Sequence, residues 1–246
     1  MDMTKKEKIL DSVKQCLLVE FKDQILSAIV YGSTLGDDYC SFSDFDILLI
    51  FKKADFETFQ KVSNLKKYFA KQGVEIDFNS HIYSDLPEIR KEVFWHNNRG
   101  LYVQKELAIY GKILFGKKYF KDIEFNDMDM LSEAVKVISS LNYQIRKMLS
   151  NKELSTSNRI IAIKWCIYGV IYLLASQNCF PKSRRDALII FNKEFNPPIN
   201  PEIFLDIKVN RPDKITIKDL KMAYTFLAYL DQLIFNIYEK EKHDRV

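Results

Sequence analysis

The chain has 246 residues, 47% of them hydrophobic and 28% charged, the balance of an ordinary globular protein long enough to bury a real core. Its net charge of +4, from 37 basic and 33 acidic residues, is too mild to imply a nucleic-acid or membrane surface by itself. Cys16, Cys40, Cys166 and Cys179 are scattered without metal-ligand spacing among apolar and aromatic neighbours, which points to buried free thiols in a reducing compartment. The first residues lead into an amphipathic helix and do not read as a signal peptide, so the expected location is the cytoplasm, with no membrane partner.

In chain order, Thr4-Lys5-Lys6-Glu7 forms a plausible capping box, and Ile9, Val13, Cys16, Leu17 and Phe21 place one apolar stripe on the first helix. Ile25 to Tyr31 reads as a strand that ends in the turn Gly32-Ser33, and Asp44 to Phe51 reads as a second strand. Phe56, Phe59, Val62, Leu65, Tyr68 and Phe69 fall at helical spacing, and Gly73 is a fitting stop. Val74 to Tyr83 predicts a third strand, with Ile76 and Phe78 toward the core and Glu75, Asp77, Asn79 and His81 on the other face. Shorter helical stretches are expected at residues 87–96 and 101–110. Lys112, Lys117 and Lys118, beside Gly111 and Gly116, could contact phosphates, but a solvated loop is the expectation preferred for them.

Beyond Asn126 the texture changes. Leu131, Val135, Ile138, Leu141, Ile145 and Met148 recur at threes and fours, as do Leu220, Ala223, Leu227, Leu230, Ile234 and Ile237. Ile160 to Ala175 lies between them, too short in its uninterrupted apolar run to span a bilayer, and reads as a buried helix. Pro197, Pro198, Pro201 and Pro212 predict a long connection before the last helix. The fold class expected is α+β: a mixed α/β domain over residues 1–122, then an all-α bundle over residues 123–246.

The chemistry is concentrated where the second strand opens. Asp44 and Asp46 share a face, roughly 6–7 Å apart at Cα, and repel by roughly 2–3 kcal/mol at an effective dielectric near 20. Phe45 and the run Ile47 to Ile50 anchor the strand, so a divalent cation is the natural way to make the pair favourable. Mg²⁺ is commonly held by one or two carboxylates with substrate phosphates and water. Asp77, framed by Ile76 and Phe78, is the preferred third carboxylate, as a metal ligand, as a general base, or as both. Glu75, on the same face two residues earlier, competes for that role. Gly32 lets the backbone come close to a phosphate, and Ser33 adds a hydroxyl and an N–H.

Apolar-Gly32-Ser33, ten residues, Asp44-Phe45-Asp46-Ile47, then apolar-Asp77-apolar resembles the nucleotidyltransferase superfamily of the DNA polymerase β type. Ser43 to Leu49 is especially similar to its minimal and aminoglycoside-modifying branches. Antitoxin-type minimal members often carry Arg-Gly in the loop, where this chain has Gly36-Asp37. The resemblance implies a Mg²⁺-dependent enzyme that moves a nucleoside monophosphate, AMP from ATP, onto a hydroxyl acceptor. Gly32 and Ser33 would then hold the nucleotide, and Asp44, Asp46 and Asp77 would serve as catalytic residues and metal ligands. The leading acceptor is a small hydroxylated molecule of the aminoglycoside kind, in a cleft beside the helical domain.

Pro181 to Arg185, Phe191 to Phe195 and Asn200 to Ile203 resemble HEPN-type bundles. That implies an alternative: an antitoxin-like or regulatory fusion that binds or modifies a protein partner. HEPN ribonucleases use an Arg-x4–6-His motif, and His243 in the tail is the single histidine of the second half, so ribonuclease activity is not expected. The absence of a basic stripe argues against an RNA-tailing enzyme.

Overall fold

The computed structural model describes residues 3–35, 43–85, 100–119, 127–150 and 154–244. The chain divides into two compact units, Met1–His96 with Val103–Ile123, and Asn97–Tyr102 with Glu124–Val246. The helix expected at residues 87–96 and the thiol of Cys40 lie outside the described residues.

In the first unit, α1 (Met3–Phe21) leads into β1 (Ile25–Tyr31), and β2 (Phe45–Phe51) is followed by α2 (Phe56–Lys71) and β3 (Ile76–Ile82). The sheet order is β3-β2-β1-β4, where β4 is Lys112–Gly116. β1 is antiparallel to both β2 and β4, whereas β2 and β3 run parallel through the α2 crossover. β1 and β2 are near-continuous apolar runs because both faces of the sheet are covered. One face carries Val30, Phe45, Ile47, Leu49 and Ile76 against Val13, Leu17 and Phe21 of α1 and Val62 and Phe69 of α2. The opposite face carries Ile29, Tyr31, Leu48 and Ile50 with Leu107 and Ala108, which belong to α3 (Gly100–Ile109).

α2 starts at a capping box in which the Thr58 N–H donates to the Asp55 carboxylate at 2.8 Å and the Asp55 N–H donates to Thr58 Oγ1 at 3.4 Å. β4 corrects one expectation. Lys112 opens an edge strand that pairs with β1, so residues 112–116 are not a solvated loop. Gly116, at φ +88°, closes that strand so tightly that a Cβ there would lie 2.1 Å from the Leu26 carbonyl oxygen.

The second unit contains α4 (Asp127–Leu149), α5 (Thr156–Ser176), α6 (Arg184–Phe195), α7 (Glu202–Asn210) and α8 (Ile217–His243). α7 is a second correction, since it lies within the proline-rich stretch expected to be a connection. Pro201 precedes its first residue, where the ring's missing N–H costs no intrahelical bond. α5 is long and apolar enough by composition to cross a membrane, yet two-thirds of that window is buried. Its residues Ile163, Cys166, Ile167, Val170 and Leu174 pack with Ile138 of α4 and Ala223, Leu227 and Leu230 of α8, so α5 is the core helix of the bundle.

Polar groups in the bundle are held by specific partners. Asp231 of α8 accepts from Ser139 Oγ at 2.5 Å and from Asn142 Nδ2 at 2.7 Å, joining α8 to α4. Glu133 accepts from the N–H groups of Leu101 and Tyr102, at 2.8 and 3.2 Å, in the first turn of α3. Burial outweighs those two bonds and pushes the Glu133 carboxyl above its ordinary range.

Candidate active site

The Gly-Ser turn and the start of β2 are fastened together by a residue whose role the sequence did not reveal. Gly32–Thr34 forms a 3-10 turn closed by the Leu35 N–H donating to the Gly32 carbonyl at 3.1 Å. Thr34 is fully buried, and its Oγ1 accepts from the Asp46 N–H at 3.2 Å while donating to the Asp44 carbonyl at 3.4 Å. One hydroxyl thus spans two backbone groups of the Asp-x-Asp segment. Leaving a buried backbone N–H without a partner typically costs about 1–3 kcal/mol, so this clamp fixes where the turn sits.

Gly32 has φ +66°, the left-handed region in which a side chain is strained. A Cβ built there would lie 2.5 Å from Asp46 Oδ2. Glycine is therefore required twice at this position, by its backbone conformation and by the carboxylate packed against it. The Gly-Ser turn and Asp46, fourteen positions apart in the chain, are in direct contact.

Asp46 is also in register with two neighbours across the sheet, Tyr31 on β1 and Asp77 on β3. Register partners project to the same face, and Tyr31 belongs to the face shared with Leu48 and Ile50. Asp46 and Asp77 therefore stand side by side on that face, at a strand spacing of about 4.8 Å. Asn79, two residues beyond Asp77, donates through Nδ2 to the Tyr31 hydroxyl and braces the face across the intervening strand. Asp44 is one residue before β2, held through its carbonyl by Thr34.

Glu75 precedes β3 and is exposed. Its carbonyl accepts from the Phe45 N–H at 2.9 Å, extending the parallel ladder. The register partner of Asp46 is Asp77, not Glu75. Asp77 Oδ1 accepts from Lys66 Nζ at 3.0 Å. Ser33 is buried within the turn, and His81 lies farther along β3, opposite Ile50.

Among the described residues, no three Asp, Glu, His or Cys side chains come together as a self-sufficient metal cage. Two adjacent carboxylates are the donor set that suits a hard dication completing its shell with phosphate oxygens and water. Mg²⁺ is of that kind, so Asp46 and Asp77 fit it.

The fold has a solved counterpart. A spectinomycin adenyltransferase from Enterococcus faecialis, determined with ATP and spectinomycin, superposes with a TM-score of 0.63 over 92% of this chain and 99% of its own, at 9% sequence identity. This chain shares the fold of that adenyltransferase. The match extends over the helical half as well as the sheet. No protein-family model and no curated protein sequence matches the chain.

Proposed function

We propose that this protein is a Mg²⁺-dependent nucleotidyltransferase that moves AMP from ATP to a hydroxyl group of a small acceptor. The observation that carries this reading is the in-register pair Asp46 and Asp77 with the Gly32 backbone packed on Asp46. The acceptor oxygen forms a bond to the α-phosphorus, the bond from that phosphorus to the bridging oxygen breaks, and pyrophosphate leaves.

Asp44, Asp46 and Asp77 are the carboxylates that would hold the cation, which when bound neutralises the polyphosphate and polarises the α-phosphoryl group. Gly32 and Ser33 line the approach of the polyphosphate, and the missing side chain at Gly32 leaves room beside Asp46. Asp77, in register with Asp46, is the third carboxylate, and it would also take the acceptor's proton. Thr34 fixes the turn relative to Asp46.

The solved neighbour was determined with both ATP and spectinomycin, and the match covers 92% of this chain. This supports a small hydroxylated acceptor of that kind over the HEPN-fusion alternative with a protein acceptor, and it favours ATP as the donor. A cytoplasmic enzyme, with access to ATP and Mg²⁺, accords with this reading. Incubation with ATP, Mg²⁺ and a panel of aminocyclitols and aminoglycosides, followed by mass spectrometry, tests it. An adenylyl mass gain on one acceptor with stoichiometric pyrophosphate is expected. Absence of any mass gain, together with no nucleotide binding, would overturn the proposal.

A further inference from the structure

Lys66 reaches the site from an unexpected side. α2 packs Val62 and Phe69 against the sheet face opposite to the one that carries Asp46 and Asp77. Lys66 belongs to that helix, yet its Nζ lies 3.0 Å from Asp77 Oδ1. The reach is possible because, among the described residues, β3 is the edge of the sheet, so a long flexible side chain can pass around it.

Both partners are about half exposed, 48% for Lys66 and 45% for Asp77. An ion pair with that exposure contributes little to stability. Lys61 offers a contrast on the same helix: it pairs with Glu20 of α1 at 3.4 Å, away from the paired aspartates. Lys66 instead meets the carboxylate in register with Asp46. Two adjacent carboxylates attract a dication more strongly than a single ammonium, because the Coulomb energy scales with the charge.

We propose that Lys66 and a divalent cation compete for the Asp77 carboxylate, so that Lys66 sets the cation concentration at which the site fills. This rests on reading Asp46 and Asp77 as cation ligands. Mn²⁺ titrated into the full chain without nucleotide, with bound metal followed by water-proton relaxation, provides the test. Lys66→Met should bind Mn²⁺ about two- to fivefold more tightly, the scale of an exposed ion pair. Lys66→Arg, which keeps the cation, should stay near the wild type. Lys61→Met, with the same change in net charge, should also stay there.

Equal or weaker binding by Lys66→Met overturns the competition, as does an equal gain in Lys61→Met. Asp46→Asn separates this inference from the reading beneath it. If Asp46→Asn loses Mn²⁺ while Lys66→Met is unchanged, only the competition fails. If Asp46→Asn binds like the wild type, or the wild type binds no Mn²⁺, the assignment of the carboxylates fails and the competition with it.

Discussion

Asp219 in the helical unit and Asp46 with Asp77 in the sheet unit show two ways in which a fold holds carboxylates. Asp219 is gripped by Arg211 through two hydrogen bonds of 2.8 Å, and it accepts at 2.8 Å from the Thr216 N–H and at 2.7 Å from the Thr216 hydroxyl. Its side chain is 8% exposed, and the Arg211 guanidinium holds its carboxyl far below the ordinary range. Asp46 and Asp77 are half-buried and stand beside each other, and the ammonium that reaches Asp77 is a half-exposed lysine. The first arrangement completes a capping box and stabilises a helix start. The second concentrates negative charge on a rigid strand pair, an arrangement that suits binding of a cation.

Substitution should separate the two. The largest expected effect is on chemistry: Asp44→Asn with Asp46→Asn should lower transfer by about 10²–10³-fold or more, the scale on which charge stabilisation acts. The melting temperature of that variant should stay equal or rise, as like-charge repulsion is removed. Retained transfer would break the comparison at its functional end.

Asp219→Asn should do the reverse, costing about 2–3 kcal/mol of stability through the lost Arg211 pair and cap. Denaturant unfolding measures this, and transfer at a temperature where the variant is folded should be unaffected. The same carboxylate predicts a pH dependence. Because its folded-state pKa is depressed, its contribution is fully present above the unfolded carboxylate pKa of about 3.9 and is lost as pH falls below it. Acid-unfolding curves of Asp219→Asn should therefore be flatter below about pH 4 than those of the wild type.

Gly32→Ala sharpens the functional end. It should destabilise by about 1–2 kcal/mol through left-handed strain, and transfer should fall about tenfold or more as Asp46 Oδ2 moves away from the new methyl group. Thr34→Val, nearly isosteric, should cost about 1–2 kcal/mol by orphaning the Asp46 N–H. Its drop in transfer should be smaller than that of Gly32→Ala, because it frees the backbone of Asp46 without displacing the carboxylate.

Much of this was legible in the residues. β1 and β2 announce themselves as unbroken apolar runs, α2 by its periodicity, and the Gly-Ser and Asp-x-Asp motifs by their spacing. Other features were hidden because they depend on distant pairing. β4 is five residues with a lysine and a glycine at its ends, and it becomes a strand only by bonding to β1, some eighty residues earlier. α7 is masked by flanking prolines that its first turn tolerates. Asp77 could be named from sequence, but its register could not. A slip of two residues in the β2–β3 pairing would keep Ile76 and Phe78 on the core face yet bring Glu75 opposite Asp46, and only the folded pairing excludes that. The Thr34 clamp was equally unreadable, since a threonine after a turn carries no mark of which backbone groups it will span.

Cation-dependent nucleotide binding at Asp46 and Asp77 is the property on which the proposed transfer depends. Calorimetric titration of ATP into the wild type and Asp46→Asn, each with Mg²⁺ and with EDTA, tests it most directly. The wild type should bind ATP with Mg²⁺ and lose at least about tenfold in affinity without it, and Asp46→Asn should bind weakly in both conditions. Equal ATP affinity with and without Mg²⁺ in the wild type, or undiminished Mg²⁺-dependent binding in Asp46→Asn, would contradict it.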